Sequence, residues 1–218
     1  MDLADALQAR RSVRGFTSRE VPRDVLTRIF ATAQVSPSWC NIQPWRVVVT
    51  SGVSTKALTH RLSQAAESGM ISADFDWPGD YPEPYNTHRR QCGKALYEAM
   101  SVARTDHEAR QKAWMRNFLA FDAPHIAIVG MDKRLGLYPA IDVGCWLQSV
   151  LLLATSEGLG TCAQASLASY APAIRDMLGF DEHIGLLFGI AIGYEDSAVA
   201  ANNCRTTRED PTANVRFI

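Results

Sequence analysis

The sequence has few of the features that mark disulfide-rich, metal-binding or nucleic-acid-binding proteins. Its five cysteines are scattered and no pair has CxxC spacing, so the sequence indicates neither a disulfide framework nor a zinc site. Its five histidines show no ligand spacing either, and we expect no bound metal. The formal net charge is −1, so there is no bulk basicity to favour nucleic acid.

The sequence also lacks a clear secretory or membrane-spanning segment. Acidic Asp2 and Asp5 lead into a helical pattern instead of an apolar signal core. The longest apolar stretch, residues 135–154, is interrupted by Asp142 and Gln148, which favours a buried helix over a membrane span. We therefore expect a cytoplasmic protein with reduced thiols and no membrane partner.

The composition is that of a globular domain. The chain has 218 residues, of which 47% are apolar and 21% charged. Short β-branched or apolar runs at 45–50, 126–129 and 186–192 predict strands between helical segments. No internal repeat or clean boundary divides them, so we predict a single α+β domain over residues 1–218.

Three segments point beyond a simple core. The predicted helix at 140–157 is apolar on nearly every side and needs cover all round, which a partner subunit would supply. The C-terminal residues 215–218 have the pattern of an edge strand. Residues 74–85 are rich in proline, aromatic and acidic residues, and we interpret them as an ordered excursion rather than a linker.

A cluster of arginines follows the first predicted helix, with the sequence R-R-S-V-R at residues 10–14. Three guanidiniums and a hydroxyl within five residues suit a phosphate and a polar ring edge, because arginine donates hydrogen bonds in a planar fork. The same run is also typical of a solvated basic turn. Spacing alone leaves both interpretations open.

A second segment, S-P-S-W-C-N-I-Q-P-W at residues 36–45, holds small polar side chains and carboxamides between two prolines. Such a segment can present backbone N–H groups and amides to a flat ligand. It can equally be a helix stop followed by the entry to a strand. Taken alone, it supports both interpretations.

The two segments together resemble the nitroreductase family. R-R-S-x-R followed by S-P-S-x-x-N-x-Q-P-W is the family's order, and further matching blocks follow at residues 117–118, 121–124, 142–144, 158–162, 192–194 and 203–208. The resemblance implies a nitroreductase-like fold, with a central mixed β-sheet surrounded by helices. It also implies an intertwined homodimer with two sites for flavin mononucleotide (FMN), each built from both chains.

The resemblance further implies which residues hold the flavin. The first segment and the C-terminal tail would bind the phosphate, ribityl chain and pyrimidine edge through Arg10, Arg11, Ser12, Arg14, Arg205 and Arg208. The second segment would line the ring from the partner subunit through Pro37, Ser38 and Asn41, with Trp39 and Gln43 beside them. A third segment would pass along the isoalloxazine ring with Ala163, Gln164, Ala165 and Ser166.

The activity implied by the resemblance is reduction of nitroaromatic or quinone-like small molecules with electrons from NADH or NADPH. The implied mechanism is ping-pong: the nicotinamide gives a hydride to the flavin and leaves before the aromatic acceptor binds. The flavin carries this chemistry, so no catalytic side chain is required. Two alternatives remain: the same fold with other redox chemistry, such as enoate reduction or dehalogenation, and a non-enzymatic module that binds a phosphate or nucleotide.

Substrate contacts depend on the parts of the sequence that depart from the family or vary within it. Trp39 and Cys40 stand where relatives often have small residues, and Trp39 either narrows the pocket or simply packs. A lid-like excursion at about residues 69–92 resembles the variable lid of the nitrobenzoate-reductase-like members. We expect it to contact a flat substrate through Tyr81, Tyr85, His88 and Arg89, each of which also fits a packed surface helix.

One motif points to a different cofactor site. Residues 158–163, G-L-G-T-C-A, match the G-x-G-x-x-A dinucleotide fingerprint, which requires a preceding strand. Here a long apolar helix precedes the glycines. We therefore predict that Gly158 and Gly160 end that helix before a strand.

Overall fold

The computed structural model describes residues 1–218 and contains seven α-helices around four strands. In chain order they are α1 Leu3–Ala9, α2 Arg23–Ala33, β1 Arg46–Ser51, α3 Gly52–Ser68, α4 Tyr85–Ala99, α5 His107–Met115, β2 His125–Asp132, α6 Leu137–Ser156, β3 Gly160–Gln164, α7 Ala171–Leu178 and β4 Ile184–Gly193. The internal strands and the apolar helix predicted from periodicity are confirmed, with ends that differ by a few residues.

The four strands form one sheet in the order β1-β2-β4-β3, and every neighbouring pair is antiparallel. The expectation of a mixed sheet is therefore wrong within one chain. The reason is visible at β1 and β2, where Ser51 pairs with His125: the long connection returns the chain to the end of the sheet that it left. Parallel pairing is limited to the isolated bridges Ser12–Thr161 and Ser72–Tyr170.

Two hydrophobic cores lie on opposite faces of the sheet, because side chains alternate along each strand. On β2, Ile126 and Ile128 face the core formed with α3 and α7, whereas Ala127 and Val129 face the core formed with α2 and α6. All four side chains are fully buried. The molecule is thus three layers of helices, sheet and helices, which confirms the α+β class.

The apolar helix α6 is only partly covered within one chain. Val143 and Trp146 are buried in the core beside α2. Leu137, Tyr138 and Ile141, near its N-terminus, are exposed. By length and composition alone α6 could cross a membrane, a test that the core helices of soluble proteins also pass. Cover of its exposed part by a partner subunit stays a prediction.

The C-terminal tail does not form the predicted edge strand within one chain. Residues 215–218 have no strand structure, and Phe217 and Ile218 are almost fully exposed. β1 also has a strand neighbour on one side only. An open sheet edge and an exposed apolar tail are features that proteins commonly cover by pairing with another chain.

The excursion after α3 is ordered, but for a different reason from the one expected. Asp74 accepts hydrogen bonds from Arg175 at 2.6 and 2.7 Å and from the Leu186 N–H at 2.9 Å. The Phe75 ring packs closely on Gly185: a Cβ at residue 185 would lie 2.5 Å from the nearest ring carbon of Phe75. The last part of the lid-like region belongs to α4. The expectation that its aromatic residues avoid solvent is wrong for Trp77, Tyr81 and Tyr85, which are exposed.

Candidate functional site

The arginine segment lies against the edge of the sheet. After α1 the chain runs beside β3, where the Val13 N–H donates to the Thr161 carbonyl at 2.9 Å and Ser12 forms a bridge with the same residue. Gly160 permits this approach, since a Cβ there would lie 2.8 Å from Cγ2 of Val13. Gly158, with φ of +74°, follows the end of α6, which confirms the predicted helix stop before a strand.

One cavity of about 580 Å³ is lined by residues from near both ends of the chain. We call it the arginine pocket. It contains all the residues predicted to bind the phosphate, ribityl chain and pyrimidine edge, together with parts of α1 and α4. Its lining is Leu7, Gln8, Ala9, Arg10, Arg11, Ser12, Arg14, Cys92, Cys204, Arg205, Thr206 and Arg208.

Most of the arginines in this pocket keep their charge uncompensated. Arg205 donates through Nη1 to the carbonyls of Asn202 at 2.7 Å and Cys204 at 2.9 Å. Arg208 donates to the Thr207 carbonyl at 2.9 Å. Neutral acceptors of this kind orient a guanidinium without cancelling its charge, which suits an anion site. Among the arginines of this pocket, those with no carboxylate partner are Arg10, Arg14, Arg205 and Arg208.

Arg11 differs from the other arginines of the pocket. Its guanidinium pairs with Glu195, which lies just beyond β4, and both side chains are partly buried. Its Nε is buried without a hydrogen-bond partner. The ion pair holds the arginine segment against the end of the sheet, and a direct contact of Arg11 with a flavin stays a prediction.

The segment expected to run along the flavin ring continues β3 into a short 3-10 turn, Ala165–Ala168. Ala163 and Ala165 are exposed, Gln164 is buried and Ser166 is half-buried. The Gln164 side chain donates to the Asn117 carbonyl at 3.0 Å, while its Oε1 is buried with no partner. Because exposed and buried side chains alternate along this segment, one of its faces stays open to solvent beside the arginine segment.

Cys162 lies in the interior next to this segment. Burial raises the pKa of its thiol, and the nearby Arg14 charge and a hydrogen bond with Ser12 act in the opposite direction. A buried neutral thiol behaves as a small apolar side chain rather than as a nucleophile.

The second predicted segment, residues 36–45, lies away from the arginine pocket of its own chain and contributes none of its lining. It passes beside α6, where the backbone N–H of Trp39 donates to Asp142 at 3.1 Å. The rings of Trp39 and Tyr138 meet edge-on with centroids 4.9 Å apart, and both remain exposed. A single chain therefore does not bring together the two groups of predicted flavin ligands.

The backbone of this loop is unusual. Cys40, Asn41 and Gln43 have φ of +50, +55 and +46°, a region that is costly for residues other than glycine. The Gln43 N–H donates to Ser38 Oγ at 3.0 Å, and its side chain donates to the Asn41 carbonyl at 3.0 Å and accepts from Gln34 at 3.1 Å. The amide of Gln43 is thus engaged within the loop. The exposed residues of the loop are Pro37, Trp39, Cys40, Asn41 and Ile42.

A larger cavity of about 720 Å³ lies between α2 and β1. Its walls are mainly apolar, with Leu26, Phe30, Trp45 and Trp146 among them, and Gln43 at its margin. It shares no residue with the arginine pocket. Its lining includes two arginines, Arg23 and Arg46, against five in the arginine pocket, so we do not place the flavin phosphate there.

The lid residues lie on and before α4. His88 forms a hydrogen bond with Glu209 in the C-terminal tail at 2.9 Å. The Arg89 guanidinium lies over the Tyr81 ring, 5.6 Å from its centroid. Further along the same helix, Cys92 lines the arginine pocket. The lid-like region is therefore next to the pocket, although none of the predicted substrate residues lines it.

The chain is similar to known proteins over nearly its whole length. The model of the Nitroreductase family matches residues 7–194. The 4-nitrobenzoate reductase of Nocardioides sp. (strain LMS-CY) is 35% identical over 97% of this chain and 88% of its own. The 4-nitrobenzoate reductase of Pseudomonas putida is 30% identical over 95% of this chain and 92% of its own. The crystal structure of the FMN-dependent nitroreductase NfnB from Mycobacterium smegmatis in complex with NADPH is 32% identical, covers 100% of both chains and gives a TM-score of 0.95.

Proposed function

The chain belongs to the nitroreductase family, and on that premise we propose that it is an FMN-dependent enzyme that reduces nitroaromatic molecules with NADPH or NADH. The observation that carries the proposal is the arginine pocket, where four guanidiniums without carboxylate partners converge from opposite ends of the chain. A phosphate monoester is close to doubly charged at neutral pH and matches this set of donors.

FMN fits the residues that are present. Arg10, Ser12, Arg205 and Arg208 would hold its phosphate and ribityl chain, and Arg14 would lie at the pyrimidine edge. The residues Ala163, Gln164, Ala165 and Ser166 would run along its ring, with the open face of β3 towards it. The unpartnered buried Oε1 of Gln164 belongs to this same segment, where a ligand is expected.

The complete site requires a second copy of the chain in this proposal. The ring-lining loop at 36–45 lies away from its own arginine pocket, so a homodimer would be needed to supply it. Two further observations support the dimer: the exposed apolar residues of α6 and the exposed apolar end of the tail. The loop residues that would reach the partner's flavin are Pro37, Ser38, Trp39 and Asn41, supported from within the loop by Gln43.

FMN, when bound, supplies the hydride and electron transfer of the reaction. The chain binds and orients it: the guanidiniums neutralise the phosphate, and Arg14 places positive charge at the pyrimidine edge. No side chain of the pocket has to act as a nucleophile or general base. We infer a ping-pong order, in which donor and acceptor occupy the same space in turn, because the only dinucleotide-like motif of the chain is a helix stop at Gly158.

The names of the similar proteins support a nitroaromatic carboxylate as acceptor and NADPH as donor. We propose quinone-like molecules as further acceptors on the flavin chemistry alone. Trp39, Cys40, Tyr81 and Tyr85 are exposed and would offer contact surfaces to a flat ring. Arg89 would supply positive charge to its carboxylate, and a ring N–H of His88 would supply a hydrogen bond. We place the enzyme in the cytoplasm, in keeping with its unpaired cysteines.

The test is the visible absorption spectrum of the purified protein before and after anaerobic addition of NADPH or NADH. We expect flavin bands that bleach with the reductant and return when 4-nitrobenzoate is added. Bands that bleach but return only with an enoate or a halogenated phenol would favour the alternative redox chemistry. A protein that stays colourless after FMN is added would overturn the proposal in favour of a phosphate-binding module.

A further inference from the structure

Asn202 is a buried polar residue that the motifs did not single out. It lies in the short 3-10 turn Ala200–Asn203 and is 3% exposed. Its Oδ1 accepts the Arg14 N–H at 2.6 Å, and its Nδ2 donates to the carbonyls of Gly15 and Asp196, both at 2.9 Å. Both polar atoms of the side chain are therefore used.

The backbone of Asn202 reaches the other arginine segment. Its carbonyl accepts a hydrogen bond from Arg205 Nη1 at 2.7 Å, and the same nitrogen donates to the Cys204 carbonyl. These bonds engage one end of the guanidinium and leave its Nε and Nη2 without partners in the chain. Asn202 thus joins the backbone of Arg14 to the side chain of Arg205, and both arginines line the arginine pocket.

The turn that carries Asn202 is packed tightly against the arginine segment at residues 10–14. Gly15 packs so closely on Val199 that a Cβ at residue 15 would lie 2.4 Å from Val199 Cβ. The Asp196 N–H also donates to the Gly15 carbonyl at 3.0 Å. The turn that carries Asn202 cannot shift relative to Arg14 without breaking these contacts, so it sets the spacing between the two arginine segments.

We propose that Asn202 is a positioning residue for the phosphate of FMN and acts through Arg205, whose guanidinium it holds at a fixed distance from the backbone of Arg14. The inference rests on the proposed function, since it takes the arginine pocket as the phosphate site. One short planar amide supplies the acceptor and the two donors that the junction needs. Aspartate would lose both donations, and a smaller residue would leave the Arg14 N–H without its acceptor. Asn202 is not part of the pocket lining and acts through Arg205, a proposed phosphate ligand, so its effect on affinity should concern the phosphate end of the cofactor only.

The test compares FMN with riboflavin, which differ only in the phosphate. The full chain is dialysed to equilibrium against a series of concentrations of each flavin, and bound flavin is read from its visible absorption. We expect Asn202→Ser to raise the Kd for FMN roughly tenfold, the effect of one displaced charge-assisted hydrogen bond. The Kd for riboflavin should change less than about twofold. Arg205→Ala should lower the selectivity for FMN at least as much.

Thr55→Val is the matched control. Thr55 is itself buried, and its Oγ1 lies within hydrogen-bond distance of Thr50 Oγ1 at 2.9 Å and of the Pro124 carbonyl at 3.1 Å. It lies on α3, which contributes nothing to the arginine pocket. We expect this variant to lower the unfolding midpoint, as Asn202→Ser does, while the ratio of the two dissociation constants stays at its wild-type value.

Equal loss of FMN and riboflavin binding in Asn202→Ser would overturn the inference, because it would make Asn202 a general support of the fold. An unchanged ratio in Arg205→Ala would instead overturn the phosphate assignment of the pocket. If Asn202→Ser does not fold, Arg205→Lys tests the same link at an exposed residue, since an ammonium cannot serve two carbonyls and a phosphate in a planar fork. If Arg205→Lys keeps the wild-type selectivity for FMN over riboflavin while Arg205→Ala lowers that selectivity, the inference would be overturned.

Discussion

Asp74 holds the start of the lid-like excursion to the rest of the fold, and its replacement by alanine should destabilise the protein strongly. Its side chain is 10% exposed, and that of Arg175 is 13% exposed. The carboxylate accepts both hydrogen bonds of Arg175 Nη2 and that of the Leu186 N–H, and Lys133 Nζ lies 3.1 Å from it. The cluster joins the excursion to α7, to β4 and to the turn after β2.

The magnitude follows from what Asp74→Ala leaves behind, which is two cations in a site that excludes most water. Removing one partner of a buried ion pair costs ~3–5 kcal/mol. We expect a loss of ~3 kcal/mol, because Lys133 is 39% exposed and can be solvated once its partner is gone. Asp74→Asn should cost less, since its amide oxygen still accepts the Leu186 N–H.

The same cluster should make the free energy of unfolding depend on pH. Burial raises the pKa of Asp74, but hydrogen bonds from the Leu186 N–H, Lys133 and Arg175 lower it more, so the pKa lies below its ordinary value of 3.8. The unfolded carboxyl then binds a proton more readily than the folded one. The stability that Asp74 contributes should be complete near neutral pH and be lost as the pH falls from about 4 through the folded pKa.

Urea unfolding, at fixed protein concentration and with saturating FMN, measures these effects. Glu157→Ala is the matched control: Glu157 also binds an arginine through two hydrogen bonds, at 3.1 and 3.0 Å, but Arg28 is 53% exposed. An exposed pair of this kind contributes little to stability. Equally small shifts in Asp74→Ala and Glu157→Ala would refute the argument from burial.

Three further predictions concern the pocket, the lid and the core. Arg208→Ala should lower the fraction of protein that purifies with flavin, and adding Arg10→Ala should lower it further; full occupancy in both would contradict the phosphate assignment. Tyr85→Ala should change the relative rates with different nitroaromatics at unchanged flavin content, and an unaltered profile would count against the lid. Burial lowers the pKa of His125, whose Nε2 accepts the Val21 N–H at 2.9 Å. Its contribution should therefore be lost as the pH falls below about 6.5, with a pH-dependent urea midpoint that His125→Gln flattens.

The parts of the fold that could be predicted from the sequence are those with local signals. The unbroken apolar run of β2 indicates a buried strand without reference to its neighbours. The glycines at 158 and 160 read as a helix stop because the helix before them is unmistakably apolar. The arginine segment at 10–14 is recognisable from its own composition, whereas Arg205 and Arg208 are assigned to the same site only by the resemblance. Neither segment specifies that opposite ends of the chain meet in one pocket.

The parts that could not be predicted depend on contacts between distant residues. The direction of β1 and β2 is decided by where a long connection returns to the sheet, which no periodicity records. Asp74 looks like any acidic residue of a loop until Arg175 is placed beside it. Asn202 has the same difficulty: it stands in a polar tail, and the partners of its buried side chain include Arg14 and Gly15 near the other end of the chain. Burial of a polar side chain is a property of the assembled fold.

The loop at 36–45 shows the same dependence at the site itself. Its composition is that of an ordinary polar turn, yet Cys40, Asn41 and Gln43 have left-handed backbone conformations. That conformation persists because Asp142 and Gln34, from other elements, hydrogen-bond to the loop. The loop is thus ordered by contacts within its own chain, while half of its ten side chains stay exposed. A loop ordered in advance loses little further entropy when it contacts a second molecule, so its strain and its exposure have one explanation if it completes a site on another subunit.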